Sequence, residues 1–220
     1  MSSVLKSMPY ILTGFRTTLF LSLCVIVVSM VLGILLGIMR VSVNNGCRFF
    51  AKAFITVFRG IPSLVILYMV FFVLPEIGVE IGTFPSAVMG LSMWGIANVG
   101  EITRGAIDSL PRQQFEAGMA IGMKRHQIMG NIILPQALKL MLPSLIGIIS
   151  NLVQNTTLAS FIGTTEFVKA CQYTIERIQL LENMPVSLIV YTILLIGYFI
   201  ICFPLSLASR HMQNKMKKYS

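Results

Sequence analysis

Five long stretches without a charged residue determine what this chain can fold into. They cover residues 17–39, 60–75, 81–100, 140–165 and 183–209 of a 220-residue chain. A helix needs ~20 apolar residues to cross the ~30 Å hydrocarbon core of a bilayer, and four of the stretches reach that length. The second is shorter, and we count it because the amphipathic stretch before it can lengthen the helix. Lipid offers backbone N–H and C=O groups no partner, so the sequence predicts an all-α membrane protein with about five transmembrane helices.

Composition excludes several other classes of protein. Charged residues make up only 11% of the chain, whereas a soluble domain has about 25%. The net charge of +9 does not predict a nucleic-acid partner, because the basic residues are not interleaved with aromatic ones on a soluble face. His126 and His211 lack metal-ligand spacing, and the sequence contains no phosphate-binding loop motif. We therefore expect no catalytic, metal or cofactor site in this chain.

The distribution of lysine and arginine predicts the orientation of the chain. If the N-terminus lies outside, the inner segments are 40–59, 104–139 and 210–220, and they hold 13 of the 17 basic residues. Basic residues favour the cytoplasmic side of membrane proteins. We therefore predict a lead-in over 1–13 outside, one transmembrane domain over 14–209, and a basic cytoplasmic tail after it.

Two local patterns concern helix packing. Gly33 and Gly37 form a Gly-x-x-x-Gly pair, which lets two helices approach closely in lipid. Packing within the chain is favoured over a dimer contact there. Residues 47–59 place apolar side chains on one face and predict an amphipathic helix on the inner surface, which Gly60-Ile61-Pro62 then breaks.

The longest polar interruption, between Asp108 and Lys139, contains a distinctive spacing. It reads Glu116-Ala-Gly-Met-Ala-Ile-Gly122, followed after nine residues by Ile132-Ile-Leu-Pro135. Pro111 can occupy the first turn of a helix, and Gly122 permits a sharp change of direction at little steric cost. The pattern predicts a helix–turn–helix outside the hydrocarbon, with a face of small residues suited to docking. We call residues 112–134 the elbow.

This spacing resembles the cytoplasmic coupling loop, or EAA motif, of the permease subunits of ABC importers. Gly118 departs from the pattern, because alanine is usual there and glycine makes a helix about 1 kcal/mol less favourable. The resemblance implies that Glu116 pairs with a base on an ATPase and that the small residues seat the helix in its groove. The residues so assigned to ATPase coupling are Glu116, Ala117, Gly118, Ala120, Gly122, Lys124 and Arg125.

Three further segments resemble the polar amino acid subgroup of these permeases. Residues 58–65 resemble its Phe-Arg-Gly-Thr-Pro-Leu. Residues 97–107 resemble its Ala-Glu-Ile-x-Arg-Gly-Gly-Ile, except that Gly100 replaces the alanine and Ala106 the second glycine. Residues 151–160 contain a segment similar to Leu-Lys-Asp-Thr-Ser-Leu-Ala-Ser, with neutral Gln154 and Asn155 where that pattern has two charges. Candidates for a substrate path are Asn98, Glu101, Gln154, Asn155 and Thr156. Each has an alternative role: Glu101 can pair with Arg104 three residues later, and the others can bond to neighbouring backbone.

The resemblance implies the transmembrane fold of a type I ABC importer with a cytoplasmic coupling-helix loop. The chain would bind no cofactor, and ATP would be hydrolysed by separate ABC ATPase subunits. Further implied partners are a second permease subunit, identical or homologous, an extracytoplasmic amino-acid-binding protein and the lipid bilayer. The implied location is the bacterial cytoplasmic membrane, with a cytoplasmic C-terminus.

Two other classes of protein remain open from the residues alone. A secondary transporter or small channel driven by an ion gradient is expected to carry ionisable residues at midspan. The five uncharged stretches contain none, which argues against proton or sodium coupling through carboxylates. A membrane scaffold that transports nothing would not need the spacing from Glu116 to Pro135.

Overall fold

The computed structural model describes residues 2–217, and every regular element within that range is helical. This confirms the predicted fold class. Met1 and residues 218–220, which belong to the predicted lead-in and tail, lie outside the described residues. The α-helices are α1 (Ser2–Arg40), α2 (Asn45–Gly60), α3 (Ser63–Tyr68), α4 (Thr83–Asp108), α5 (Arg112–Ala120), α6 (Arg125–Ile128), α7 (Leu134–Asn155), α8 (Phe167–Glu182) and α9 (Ser187–Lys217).

Three described stretches are long and apolar enough to cross a membrane. They are Ser3–Arg40, Arg125–Ile162 and Ser187–Lys215, and a fourth candidate is the bent pair of Asn45–Gly60 with Ser63–Ile77. The third uncharged stretch of the sequence, residues 81–100, lies mostly in α4, which is 26 residues long but is not among these candidates. The count of about five transmembrane helices therefore stays a prediction.

Helix α4 is the centre of the bundle, with α1, α2, α3 and α7 packed around it. Its buried positions include glycine, alanine, serine and threonine, and such small residues let helix backbones approach closely. A Cβ atom on Gly33 of α1 would lie 2.6 Å from Cβ of Val99, and Gly37 is covered by Thr103 in the same way. The Gly-x-x-x-Gly pair thus packs within the chain, as predicted.

Helix α2 meets the next helical segment at 107°, so it does not lengthen that segment in line. The expectation that the amphipathic stretch would extend the second span is wrong. Residues 61 and 62 cause the bend, because Pro62 has no N–H to continue the helix and restricts Ile61 to extended backbone. Ala51 and Ile55 face the bundle, whereas Phe50 and Val57 are exposed, as in a helix that lies along a membrane surface.

Two helices are longer than the sequence pattern predicted. Helix α1 begins at Ser2, within the predicted lead-in, and runs through Pro9 without a break. Helix α9 continues past Ser209 through the predicted tail to Lys217. Pro135 does not interrupt the helical path either. It lies in the first turn of α7, and a π-helical turn over Met129–Ile133 joins α6 to α7.

Two apolar clusters hold opposite ends of the bundle together. At one end, Val4 and Ile11 of α1 pack against α8 and α9. At the other end, Ile38 and Val41 pack against Ile107, Ile128 and Ile133. The second cluster lies beneath the elbow, and it positions the candidate site.

Candidate functional site

The elbow has the helix–turn–helix structure that the sequence predicted. Helix α5 ends in a turn at Gly122, whose φ of 82° is left-handed. The N–H of Gly122 donates to the carbonyl oxygen of Met119, and the N–H of Met123 donates to that of Gly118, both at 3.0 Å. These two bonds form a Schellman motif, which needs a left-handed residue where Gly122 stands.

The outer face of α5 offers a carboxylate between small residues. Glu116, Ala117 and Ala120 are all exposed. Glu116 forms no salt bridge with any other residue in the described range. Met119 and Ile121 are exposed beside them, Ile121 to 78%. This face can receive another protein, with Glu116 ready to pair with a base.

Gly118 points the other way and is buried. A Cβ atom there would lie 2.8 Å from Cγ1 of Ile128, a side chain with no exposed area. Ile128 therefore occupies the space that the usual alanine would need. Gly118 seats α5 against α6 and does not belong to the exposed small-residue face.

The two basic residues of the elbow have different surroundings. Arg125 lies 5.3 Å from the centre of the Phe115 ring, a cation–π distance, and so joins α6 to α5. Lys124 is exposed and immediately precedes α6, and its N–H donates to Oε1 of Gln127 at 2.8 Å. Both residues are exposed, but Arg125 is also engaged with Phe115, whereas Lys124 makes no such contact.

A pair of glutamines that the sequence analysis did not identify joins the elbow to α7. Nε2 of Gln136 donates to Oε1 of Gln114 at 2.8 Å, and Nε2 of Gln114 donates to Oε1 of Gln136 at 3.2 Å. The signal that could have found Gln114 is its spacing, since residues four apart share one helix face. Gln114 precedes the inward-facing Gly118 by four residues.

An ion-pair cluster lies near the end of α4. Nη2 of Arg104 lies 2.7 Å from Oε1 of Glu101, which confirms the predicted pair. Arg59, at the end of α2, lies 3.6 Å from the same oxygen, and Arg104 also pairs with Asp108. The position of Arg59 in this cluster was not predicted, because it depends on the bend after α2.

Asn98 and Glu101 both border a cavity of about 490 Å³ beside this cluster. Nδ2 of Asn98 donates to the carbonyl oxygen of Trp94 at 2.9 Å, so the alternative role of bonding to neighbouring backbone is present as well. The other lining residues are Arg40, Ile55, Thr56, Arg59, Gly60, Trp94 and Arg104.

The remaining candidates of the substrate path lie elsewhere. Gln154 is exposed and borders a cavity of about 660 Å³ between α7 and α9, with Tyr198 and Ser206 opposite. Asn155 is half-buried, and Thr156 is buried with its hydroxyl donating to the carbonyl oxygen of Val153 at 2.6 Å. The single chain therefore does not bring the five predicted residues together.

Glu166 is a buried acid that the sequence analysis did not identify. Its carboxylate accepts hydrogen bonds from Thr18 and Tyr198, both at 3.3 Å, and from the N–H groups of Val168 and Lys169, both at 2.9 Å. Burial raises its pKa above the ordinary value, although these donors act in the opposite direction. Glu166 thus caps α8 and joins it to α1 and α9.

The described residues contain no group of three or more histidine, cysteine, aspartate or glutamate side chains that could hold a metal ion. The four cysteines, Cys24, Cys47, Cys171 and Cys202, are all free.

Comparison with known proteins identifies related permeases. The chain is 31% identical to the L-cystine transport system permease protein TcyB of Bacillus subtilis, over 96% of this chain and 88% of that protein. It is 32% identical to the glutamate/aspartate import permease protein GltK of Escherichia coli, over 97% and 96%. A crystal structure of an amino acid ABC transporter with histidines superposes with a TM-score of 0.83, at 26% identity and 97% coverage of each chain.

The family model of the binding-protein-dependent transport system inner membrane component matches residues 29–218. The match includes the elbow and both cavities, and the relatives cover almost the whole chain. This chain belongs to the family of inner membrane components of binding-protein-dependent transport systems.

Proposed function

We propose that this chain is the transmembrane permease subunit of an ATP-driven amino acid importer. It forms part of the substrate path and couples that path to separate ATPase subunits. Family membership and the names of the relatives support this function. The observation that carries it is the elbow, which holds the exposed Glu116 and its small neighbours on a sharply closed turn.

The proposed partners follow from what the chain lacks and what it exposes. The sequence contains no phosphate-binding loop, so ATP is hydrolysed by a different chain, and the elbow is the docking surface for it. A second permease subunit completes the path, and an amino-acid-binding protein delivers the substrate from the outer side. The chain itself binds no cofactor.

The proposed location is the bacterial cytoplasmic membrane, with the elbow in the cytoplasm. Arg40, Arg59 and Arg104 meet around one cavity, and the apolar cluster beneath the elbow also contains the last turn of α1. The basic segments at 40–59 and 104–139 are thus neighbours at one end of the bundle, as the positive-inside rule requires of a cytoplasmic face.

The proposed mechanism is alternating access. The ATPase pair closes on ATP and moves the elbows of both permeases, and the spans then open outward to accept the amino acid. Hydrolysis returns the spans to the inward-facing state. Coupling requires that the elbow bind the ATPase differently in the two states, because equal affinity shifts no equilibrium.

The proposed substrate is a polar amino acid. We propose that its path runs along polar side chains that are exposed in the single chain. An amide exposed on a membrane helix is costly when it faces lipid, and Gln154 is exposed on α7. We infer that this face contacts a second subunit or lines a water-filled passage. Asn98 and Glu101 border the cavity at the basic end, where the path would reach the cytoplasm.

Two substitutions in the elbow test the coupling. Glu116→Ala removes the carboxylate offered to the ATPase, and Gly122→Ala places a Cβ atom on left-handed backbone at a cost of ~1 kcal/mol. We expect each to lower the uptake of amino acid into membrane vesicles loaded with ATP by about 10-fold. A change of this size is within the usual range of coupling between two sites. The control is Asn214→Ala, which changes an exposed, neutral side chain on α9 outside the elbow.

Unchanged uptake in both elbow variants would show that the coupling role is wrong. Full-speed uptake by the purified chain without nucleotide would favour a gradient-driven transporter or a channel. Copurification with an ATPase and an amino-acid-binding protein, identified by mass spectrometry, tests the proposed partners directly.

A further inference from the structure

Helix α5 has a narrow contact with the rest of the protein. Most of its side chains are exposed, and only Gln114, Phe115 and Gly118 face inward. Gly118 meets Ile128, and Phe115 meets Arg125. Both of these partners lie on α6, the next element along the chain. Apart from its backbone link to α4, α5 therefore acts on the bundle through these three inward-facing residues.

The partner of Gln114 is different, because it lies beyond α6. Gln136 belongs to the first turn of α7, 22 residues further along the chain. Within the described residues, the two hydrogen bonds of this pair are the only ones that join a side chain of α5 to another helix. Phe115 also packs against the apolar cluster beneath the elbow, but such packing is non-directional.

The Gln136 amide is fixed from two sides. One N–H of its Nε2 group donates to Gln114, and the same group donates to the carbonyl oxygen of Ile132 at 2.9 Å. Each glutamine both donates to and accepts from the other, so the two bonds form and break together. The pair therefore fixes the orientation of the two side chains as well as the distance between them.

The backbone between α6 and α7 is poorly suited to transmitting movement from α5 to α7. Met129–Ile133 form a π-helical turn, and Pro135 leaves the carbonyl group of Asn131 without its usual N–H donor. Helices bend at such interruptions. Gln136 lies just beyond them, so the glutamine pair connects α5 to the regular part of α7 across the weak section.

We propose that Gln114 and Gln136 are positioning residues that transmit movement of the elbow to α7. This inference rests on the proposed function. When the ATPase moves α5, the amide pair draws the start of α7 with it, and α7 carries Gln154 and Asn155 of the proposed path. Without the pair, α5 moves while the π-helical turn absorbs the displacement.

The test measures amino acid imported per ATP hydrolysed by the complete complex, purified from its native membrane and reconstituted in liposomes. Gln114→Ala and Gln136→Ala should each lower this ratio by about 10-fold, within the usual range of coupling between sites, while ATP hydrolysis and assembly are retained. The double variant should be no worse than either single one, because the two residues act as one unit. Asn214→Ala, an exposed amide on α9 outside the elbow, should keep the ratio.

A second variant distinguishes a loss of coupling from misfolding. In Gln114→Glu with Gln136→Arg, a two-pronged ion pair replaces the two amide bonds, and it should restore both assembly and the ratio.

The inference is overturned if the ratio is unchanged in both alanine variants. It is also overturned if uptake and hydrolysis fall in parallel, if Asn214→Ala lowers the ratio equally, or if the ion-pair variant restores nothing. A wild-type complex that imports without ATP would instead contradict the proposed function, and the inference with it.

Discussion

Glu166 is the most thoroughly buried acid in the described chain, and it lies at the end of the bundle opposite the elbow. Its side chain has no exposed area. Thr18, 148 residues away in sequence, donates to it from α1, and Tyr198 donates from α9. A buried carboxylate is tolerated only when donors surround it, so these contacts explain how α8 can be held against two membrane helices.

Glu166→Gln tests the pH dependence that follows from this burial. Because the pKa of Glu166 is raised above 4.5, the folded protein disfavours the ionised form. Below pH 4.5 the carboxyl is neutral in both the folded and unfolded states, and stability is lost as pH rises through the raised pKa. We expect the Tm of the wild type, relative to that of Glu166→Gln, to fall over this interval. The exposed Glu176→Gln on α8 is the control, and parallel profiles for wild type and Glu166→Gln would contradict the expectation.

At the scale of elements, the elbow depends on how closely α5 approaches α6. Gly118 and Ile128 fill one space between them, and the Schellman turn at Gly122 sets the direction in which the chain returns. The glycine that weakens α5 as an isolated helix is therefore what allows it to dock. A local cost in helix propensity of about 1 kcal/mol is offset by packing between the two helices.

Gly118→Ala tests this packing. The added methyl group improves helix propensity by about 1 kcal/mol, but overpacking a filled space costs about 1–3 kcal/mol. We expect a net loss of about 1 kcal/mol in the stability of the elbow, measured by hydrogen exchange of α5 and α6. Gly118→Ala with Ile128→Val should recover part of the protection, because valine removes Cδ1, 2.9 Å from the added Cβ, but keeps Cγ1 at 2.8 Å. Increased protection in Gly118→Ala alone would show that α5 and α6 are not packed this closely.

At the scale of the whole molecule, the helices collect the chemically distinctive groups at two ends. The elbow and the arginines around the cavity of α4 share one end, and α8 with Glu166 packs against the start of α1 at the other. A permease that couples an ATPase to a substrate-binding protein needs such separated surfaces. The bundle between them must carry movement from one end to the other.

Site-specific labelling tests the orientation of these ends. In a background with Cys47→Ser, a membrane-impermeant maleimide should label Glu80→Cys in intact cells. It should label Ala120→Cys only after the membrane is opened, because we place the elbow in the cytoplasm. Both positions are exposed in the structure. Labelling of Ala120→Cys in intact cells would contradict the proposed orientation and the ATPase docking site together.

Several features were predictable because they depend on residues close together in the chain. The uncharged stretches predicted the helical membrane fold, Gly122 predicted the reversal in the elbow, and the spacing of Glu101 and Arg104 predicted their ion pair. Each depends on chain length, backbone freedom or one helical turn. The spacing from Glu116 to Pro135 was also enough to identify the family.

Tertiary structure alone decided which distant groups meet. The inward orientation of Gly118, the pairing of Gln114 with Gln136, and the burial of Glu166 each depend on which helix lies alongside. Helix α1 continues through Pro9, whereas the chain bends before Pro62. A proline in the sequence therefore does not by itself determine whether a helix ends. A pattern of residues specifies the face that a helix can offer, but the partner of a buried polar group is settled only when the helices pack.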